Sequence, residues 1–208
     1  VMLASPADLE DFALGFSLAE GIIDKPSELY GCEAESTDEG WLLHLEIASE
    51  RFVALKERRR NLAGRTGCGL CGTESLSQVA RCSTSVVHRH HFSDAAVLAG
   101  MQAMQTLQPM QRQSGATHAA AWMTTEGEIS FVREDVGRHN ALDKLIGAMA
   151  AQKTDFTSGA LLITSRASFE MVQKAAIMNV GLVAAISAPT SLAVELAEKT
   201  GVTLIGFM

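Results

Sequence analysis

The sequence predicts an α/β protein: a three-layer α/β/α sandwich with a smaller N-terminal helical and β segment. Three observations carry this. From about residue 138 onward, short apolar runs alternate with helical patterns, as "ALLITS", "GLVAAIS" and "VTLIGF" are separated by "ASFEMVQKAAIMNV" and "TSLAVELAEKTG". The apolar runs are continuous rather than alternating, which is the pattern of strands covered on both faces. Hydrophobic residues make up 47% of the 208 residues, so a large core can be buried. Residues 1–60 are assigned to the N-terminal helix and strands, and 61–208 to the core domain, which begins with a cysteine loop.

Taken in order, "SPADLEDFALGFSLAEGII" reads as a helix with Ser5 as N-cap and Pro6 at the first helical position. "WLLHLEIA" and "RFVAL" read as two strands. "SDAAVLAGMQAMQTLQ" is a helix capped by Ser93, and "THAAAWMTTEGEISFVRED" a hairpin turning at Glu126-Gly127. "RHNALDKLIGAMAAQ" is helical and opens the regular alternation. There is no internal repeat and no low-complexity linker.

Composition narrows the function. A net charge of −7 argues against general nucleic-acid binding. No apolar stretch approaches the length of a membrane span, and no signal peptide is evident, although the ends at Val1 and Met208 read as those of a trimmed fragment. Four cysteines in a chain of this length do not make a disulfide scaffold, so a reducing, cytoplasmic setting is expected. Against the acidic whole, Lys56, Arg58, Arg59, Arg60 and Arg65 cluster just before a CxxC, where they would favour a thiolate, attract an anion or form a solvated basic face.

That CxxC, Cys68 and Cys71 in "GRTGCGLCGTESL", is the first chemical signal. A structural zinc site needs four ligands. Cys82 with His88, His90 or His91 could complete one, but a second compact pair is missing, so no metal is expected. A zinc deaminase would need H-x-E on a helix start; His44 and Glu46 instead alternate with apolar residues, as on the solvent face of a strand. A thioredoxin-type pair would open a helix. Gly67, Gly69 and Gly72 instead indicate a loop that another molecule approaches closely. What remains is thiolate chemistry: attack on the outer sulfur of a donor's persulfide, with a second thiol at hand to help discharge it.

The second signal is "REDVGRHNALDK". Glu134, Asp135, Arg138, His139, Asn140 and Asp143 crowd a helix start around Gly137, which reads either as a ligand site or as a cap with salt bridges. Asp135 is a candidate N-cap. His118, opening the neighbouring strand, reads as a core or edge histidine. Ligands of such sheets sit beyond the carboxyl ends of the strands. That places "TSRAS" (with Ser165, Arg166 and Ser168) and "SAPTS" on one rim, at helix N-termini suited to phosphate or simply capped by Ser168 and Thr190 or Ser191. "GFM", ending in Phe207 and Met208, joins that rim if the last strand is parallel to its neighbours.

Together "GRTGCGLCG", "EDVGRHNALDKLIG", "SRASFEMVQKAA" and "SLAVELAEKTGVTLIGF" resemble the FdhD family of formate dehydrogenase accessory sulfurtransferases, across nearly the whole chain. The resemblance implies a homodimeric sulfur carrier with a cytidine deaminase-like fold. It implies that Cys68 accepts persulfide sulfur from a cysteine desulfurase, with Cys71 as the second cysteine. The sulfur would pass to the metal of a molybdenum (or tungsten) bis(molybdopterin guanine dinucleotide) cofactor, required for formate dehydrogenase. Phe207 and Met208 match the start of the family's cofactor loop, and a GDP-like nucleotide could mimic the cofactor. Ser165, Arg166, Arg138 and His139 are assigned to the same cofactor from the rim argument. The competing readings are a cofactor-binding chaperone without sulfur transfer and a zinc-stabilised interaction module.

Overall fold

The computed structural model describes residues 1–62 and 85–208, with the backbone alone over 57–62. Cys68, Cys71, Cys82 and Arg65 lie outside the described residues, as do the side chains of Arg58, Arg59 and Arg60. The elements in order are α1 (Leu9–Ala19), a 3-10 turn (Pro26–Glu28), β1 (Leu29–Thr37), β2 (Gly40–Ile47), α2 (Ser49–Leu62), α3 (Asp94–Thr106) and α4 (Pro109–Ser114). They continue as β3 (His118–Met123), β4 (Ile129–Asp135), α5 (Arg138–Ala151), β5 (Ala160–Ile163), α6 (Phe169–Ile177), β6 (Leu182–Ala185), α7 (Ser191–Thr200) and β7 (Thr203–Ile205).

Five strands form the main sheet in the order β4-β3-β5-β6-β7. β3 runs antiparallel to both β4 and β5, while β5, β6 and β7 are parallel. Strand side chains alternate between two cores. Leu161, Ile163, Val183 and Trp122 enter a large cluster with Leu142, Leu145, Val172 and Leu196 of the helices α5, α6 and α7. Leu162, Ala184, Ala121 and Met123 point the other way, onto Val97, Met101 and Met104 of α3. Helices therefore cover both faces, as the uninterrupted apolar strands require.

α1 crosses α5 at very short range. A Cβ on Gly15 would stand 1.7 Å from the Asp143 carbonyl oxygen, and one on Gly147 1.8 Å from that of Asp11. α1 thus shares the core of the helix it crosses, although it precedes the boundary drawn at residue 60.

Two elements differ from the sequence reading. "RFVAL" is the first half of α2, not a strand: its run continues into the helix-favouring "KERRRNL", and Phe52 and Val53 are exposed. The partner of β2 is β1, paired from Thr37↔Gly40 to Leu29↔Ile47. Its glycine, acids and serine are poor strand formers, and pairing overrides that local preference. Ser5 is not an N-cap either. Asp8, at φ 52°, precedes the first turn of α1, and Ser5 is buried elsewhere.

Candidate functional site at the carboxyl rim of the sheet

The rim derived from the sequence brings together the carboxyl ends of β4, β5, β6 and β7 with the start of β3, since His118 pairs with Asp135 and Ala120 with Ile163. β7 is parallel to β6, so Phe207 and Met208 join it. The Phe207 and Met208 amides donate to the carbonyls of Ser187 (3.4 Å) and Ala185 (3.2 Å). Phe207 is an exposed aromatic at φ 60°, an unusual backbone for a bulky residue.

The rim is built on a fully buried carboxylate. Asp135 accepts from the backbone amides of Ser5 (2.9 Å) and Gly137 (2.8 Å) and from Asn140 Nδ2 (2.9 Å). It also pairs with Lys144 Nζ at 2.6 Å, and neither side chain of that pair is exposed. Lys144 donates in addition to the Ser5 carbonyl at 3.0 Å. Ser5 Oγ accepts from the Val136 amide at 3.1 Å. Asp135 is therefore no N-cap: Gly137 holds that position, and Asp135 fixes the turn that aims α5. Glu134 is likewise committed, accepting from the amides of Met110 (2.9 Å) and Gln111 (2.7 Å).

With these acids engaged, the donors at two helix starts are left with the Glu170 carboxylate beside them. Among the described residues, four buried side-chain polar atoms have no hydrogen-bond partner, and three lie here: Arg138 Nε, His139 Nε2 and Ser168 Oγ. They sit on the first residues of α5 and at the N-cap of α6, where helix amides also favour an anion. His139 Nε2 stands 3.8 Å from Glu170, and this imidazole holds the Glu170 carboxyl down at about 2. Burial, with Arg138 and His139 nearby, lowers His118 below the ordinary histidine range. Arg166 is exposed, and the buried Ser165 donates its hydroxyl to the Arg166 carbonyl at 3.0 Å. Thr190 caps α7 through the Ala193 amide at 3.2 Å, an ordinary cap.

Behind the rim, Asp143 lies within 2.7 Å of Lys174 Nζ through both carboxylate oxygens. Burial raises Asp143 to about 6 against the opposing pull of Lys174. Lys144, Lys174 and Glu170 are absent from the sequence reading, because nothing in a helical pattern marks which lysine turns inward. Residues 86–88 lie at the end of the sheet opposite the rim. There Val86 donates to the Thr200 carbonyl (2.9 Å), Val87 to Asn179 Oδ1 (3.0 Å), and His88 bonds the Gly201 carbonyl.

The FdhD/NarQ family model matches residues 1–208. The chain belongs to the FdhD/NarQ family. Relatives include the sulfur carrier protein FdhD of Cupriavidus necator, 57% identical over 208 residues, covering all of this chain and 72% of the relative. The sulfur carrier protein FdhD of Bordetella petrii is 54% identical over 207 residues, covering this chain fully and 74% of its own. The same fold is found in a structure described as that of a formate dehydrogenase accessory protein from Desulfotalea psychrophila. Its TM-score is 0.71 at 22% identity, over 98% of this chain and 74% of that one. No helix among the described residues is long and apolar enough to cross a membrane.

Proposed function

We propose that this chain is a sulfur carrier and sulfurtransferase that serves formate dehydrogenase. The Cys68 thiolate attacks the outer sulfur of a persulfide on a cysteine desulfurase. A new S–S bond forms on Cys68, and the donor cysteine departs as its thiolate. Cys71 assists discharge or protects the persulfide, and the arginines upstream favour the thiolate. The acceptor is the metal of a bis(molybdopterin guanine dinucleotide) cofactor, bound as substrate. Arg138, His139, Ser165 and Arg166 with Phe207 and Met208 make up its site in a cytoplasmic homodimer.

The observation that carries the acceptor half is Arg138 Nε, buried without a hydrogen-bond partner at a helix start, with His139 and Ser168 beside it. An anion such as a diphosphate satisfies Arg138, and the helix ends add positive field; at His139 and Ser168 it competes with the Glu170 carboxylate. The sulfur half is supported by family membership and by relatives bearing the name sulfur carrier protein. The test is formate dehydrogenase activity in cells whose own gene for this protein is deleted. Wild type restores activity and Cys68→Ala does not. Restoration by Cys68→Ala would leave only a chaperone role.

A further inference from the structure

Glu170 is the acid in the first turn of α6, and its carboxylate already stands where an anion would be drawn. The groups that hold it are His139, its own backbone amide and the Ser168 hydroxyl, and they keep it ionised at neutral pH. The hold is loose. His139 Nε2 stands 3.8 Å away, and neither Nε2 nor Ser168 Oγ closes a hydrogen bond. Ser168 does not spend its hydroxyl on capping α6 either. Lys174, one turn further along the helix, is taken by Asp143 at 2.7 Å and Glu20 at 3.4 Å.

We propose that Glu170 is the specificity-determining residue of the rim: its carboxylate occupies the phosphate position in the free protein and swings out to water when a diphosphate arrives. The inference rests on the reading of this rim as a cofactor site. A small carboxylate that displaced Glu170 would exchange one anion for another on the same donors and gain little. A diphosphate carries more oxygens. It meets His139 and Ser168 in place of Glu170 and also engages Arg138 Nε, which has no hydrogen-bond partner otherwise.

The geometry makes this exchange inexpensive. The Glu170 side chain is 19% exposed, so it reaches the solvent edge and regains hydration on leaving. Its departure breaks no closed hydrogen bond to His139 or Ser168. Lys174 stays with Asp143, so the deeper ion pair is untouched. The result is a filter by charge and reach. Small monoanions are turned away by a carboxylate already in place, and only an anion that spans Arg138 and His139 recovers the cost of moving it.

The test is calorimetric titration of inorganic diphosphate into the full chain, as wild type, Glu170→Gln and Arg138→Ala, with and without excess acetate. Removing a like charge beside the incoming anion is expected to tighten diphosphate binding about tenfold in Glu170→Gln, while Arg138→Ala weakens it. Acetate is expected to compete with diphosphate in Glu170→Gln and not in wild type. Glu170→Ala removes the same carboxylate and serves if the glutamine variant does not fold, with thermal unfolding as the check on both. Unchanged or weaker affinity in a folded variant without the carboxylate would overturn the inference, because Glu170 would then be idle or would merely position His139. Acetate competing equally in wild type would overturn it too. In either case a loss in Arg138→Ala leaves the cofactor-site reading standing, whereas no diphosphate binding in any form would overturn both.

Discussion

Asp143 and Lys174 show how far a single contact shapes this molecule. The carboxylate is almost fully buried, and two hydrogen bonds of 2.7 Å to Lys174 offset its lost hydration. Its folded value of about 6 lies above the ordinary 3.8. The protonated form is thus favoured by folding: this contribution is fully present below 3.8 and is lost as pH rises through about 6. Lys174→Met strands the carboxylate. A loss of about 3–5 kcal/mol is expected at pH 7.5, shrinking toward pH 5 as Asp143 takes up its proton. Urea unfolding at the two pH values checks this. A deficit that grew on acidification would contradict it. Glu170 has the opposite sign. Its value of about 2 lies below the ordinary 4.5, so the His139 pairing stabilises above 4.5 and is lost as pH falls through about 2. This pair is partly exposed, so Glu170→Gln is expected to lose no more than about 1 kcal/mol at pH 6. The difference from wild type narrows by pH 3 in the same unfolding assay.

The packing of α1 on α5 turns on Gly15 and Gly147. An alanine normally gains about 1 kcal/mol over glycine inside a helix. Here the added Cβ of Gly147→Ala would lie 1.8 Å from a backbone carbonyl oxygen, which cannot rotate aside. Overpacking decides the sign, and a net loss of about 3 kcal/mol is expected. Thermal unfolding that rose instead would show that the two helices can part freely. At this scale the sequence was legible wherever period and caps agreed. The elements after residue 138 follow their apolar runs, and Ser93 and Thr190 cap as their positions imply. It was not legible where tertiary pairing decided. β1 carries poor strand formers, α2 opens with a β-like triplet, and Ser5 is drawn from the cap position to Asp135.

Across the whole molecule, the candidate site is an edge where five strands, two helix starts and the chain's last residues meet. Its position could be read from the alternating pattern, because ligands gather beyond the carboxyl ends of parallel strands. Arg138 and His139 could be named for the same reason. The surroundings could not: only the fold reveals that Asp135 and Glu134 are spent on backbone amides and Lys144, which leaves Arg138 Nε without an acceptor and His139 beside Glu170. If the rim holds a diphosphate, GDP bound to wild type should bind at least tenfold more weakly to Arg138→Ala, as read by calorimetry, with a smaller loss in 0.5 M salt. Equal affinities would remove Arg138 from the site.

The central claim is that Cys68 carries sulfur. Its most direct test is the intact mass of the protein after incubation with a cysteine desulfurase and cysteine, in the absence of any cofactor, beside Cys68→Ala and Cys71→Ala. The account predicts a gain of one sulfur atom in wild type that is absent in Cys68→Ala and removed by a thiol reductant. A wild-type mass that stays unchanged, or a gain that persists in Cys68→Ala, would contradict it.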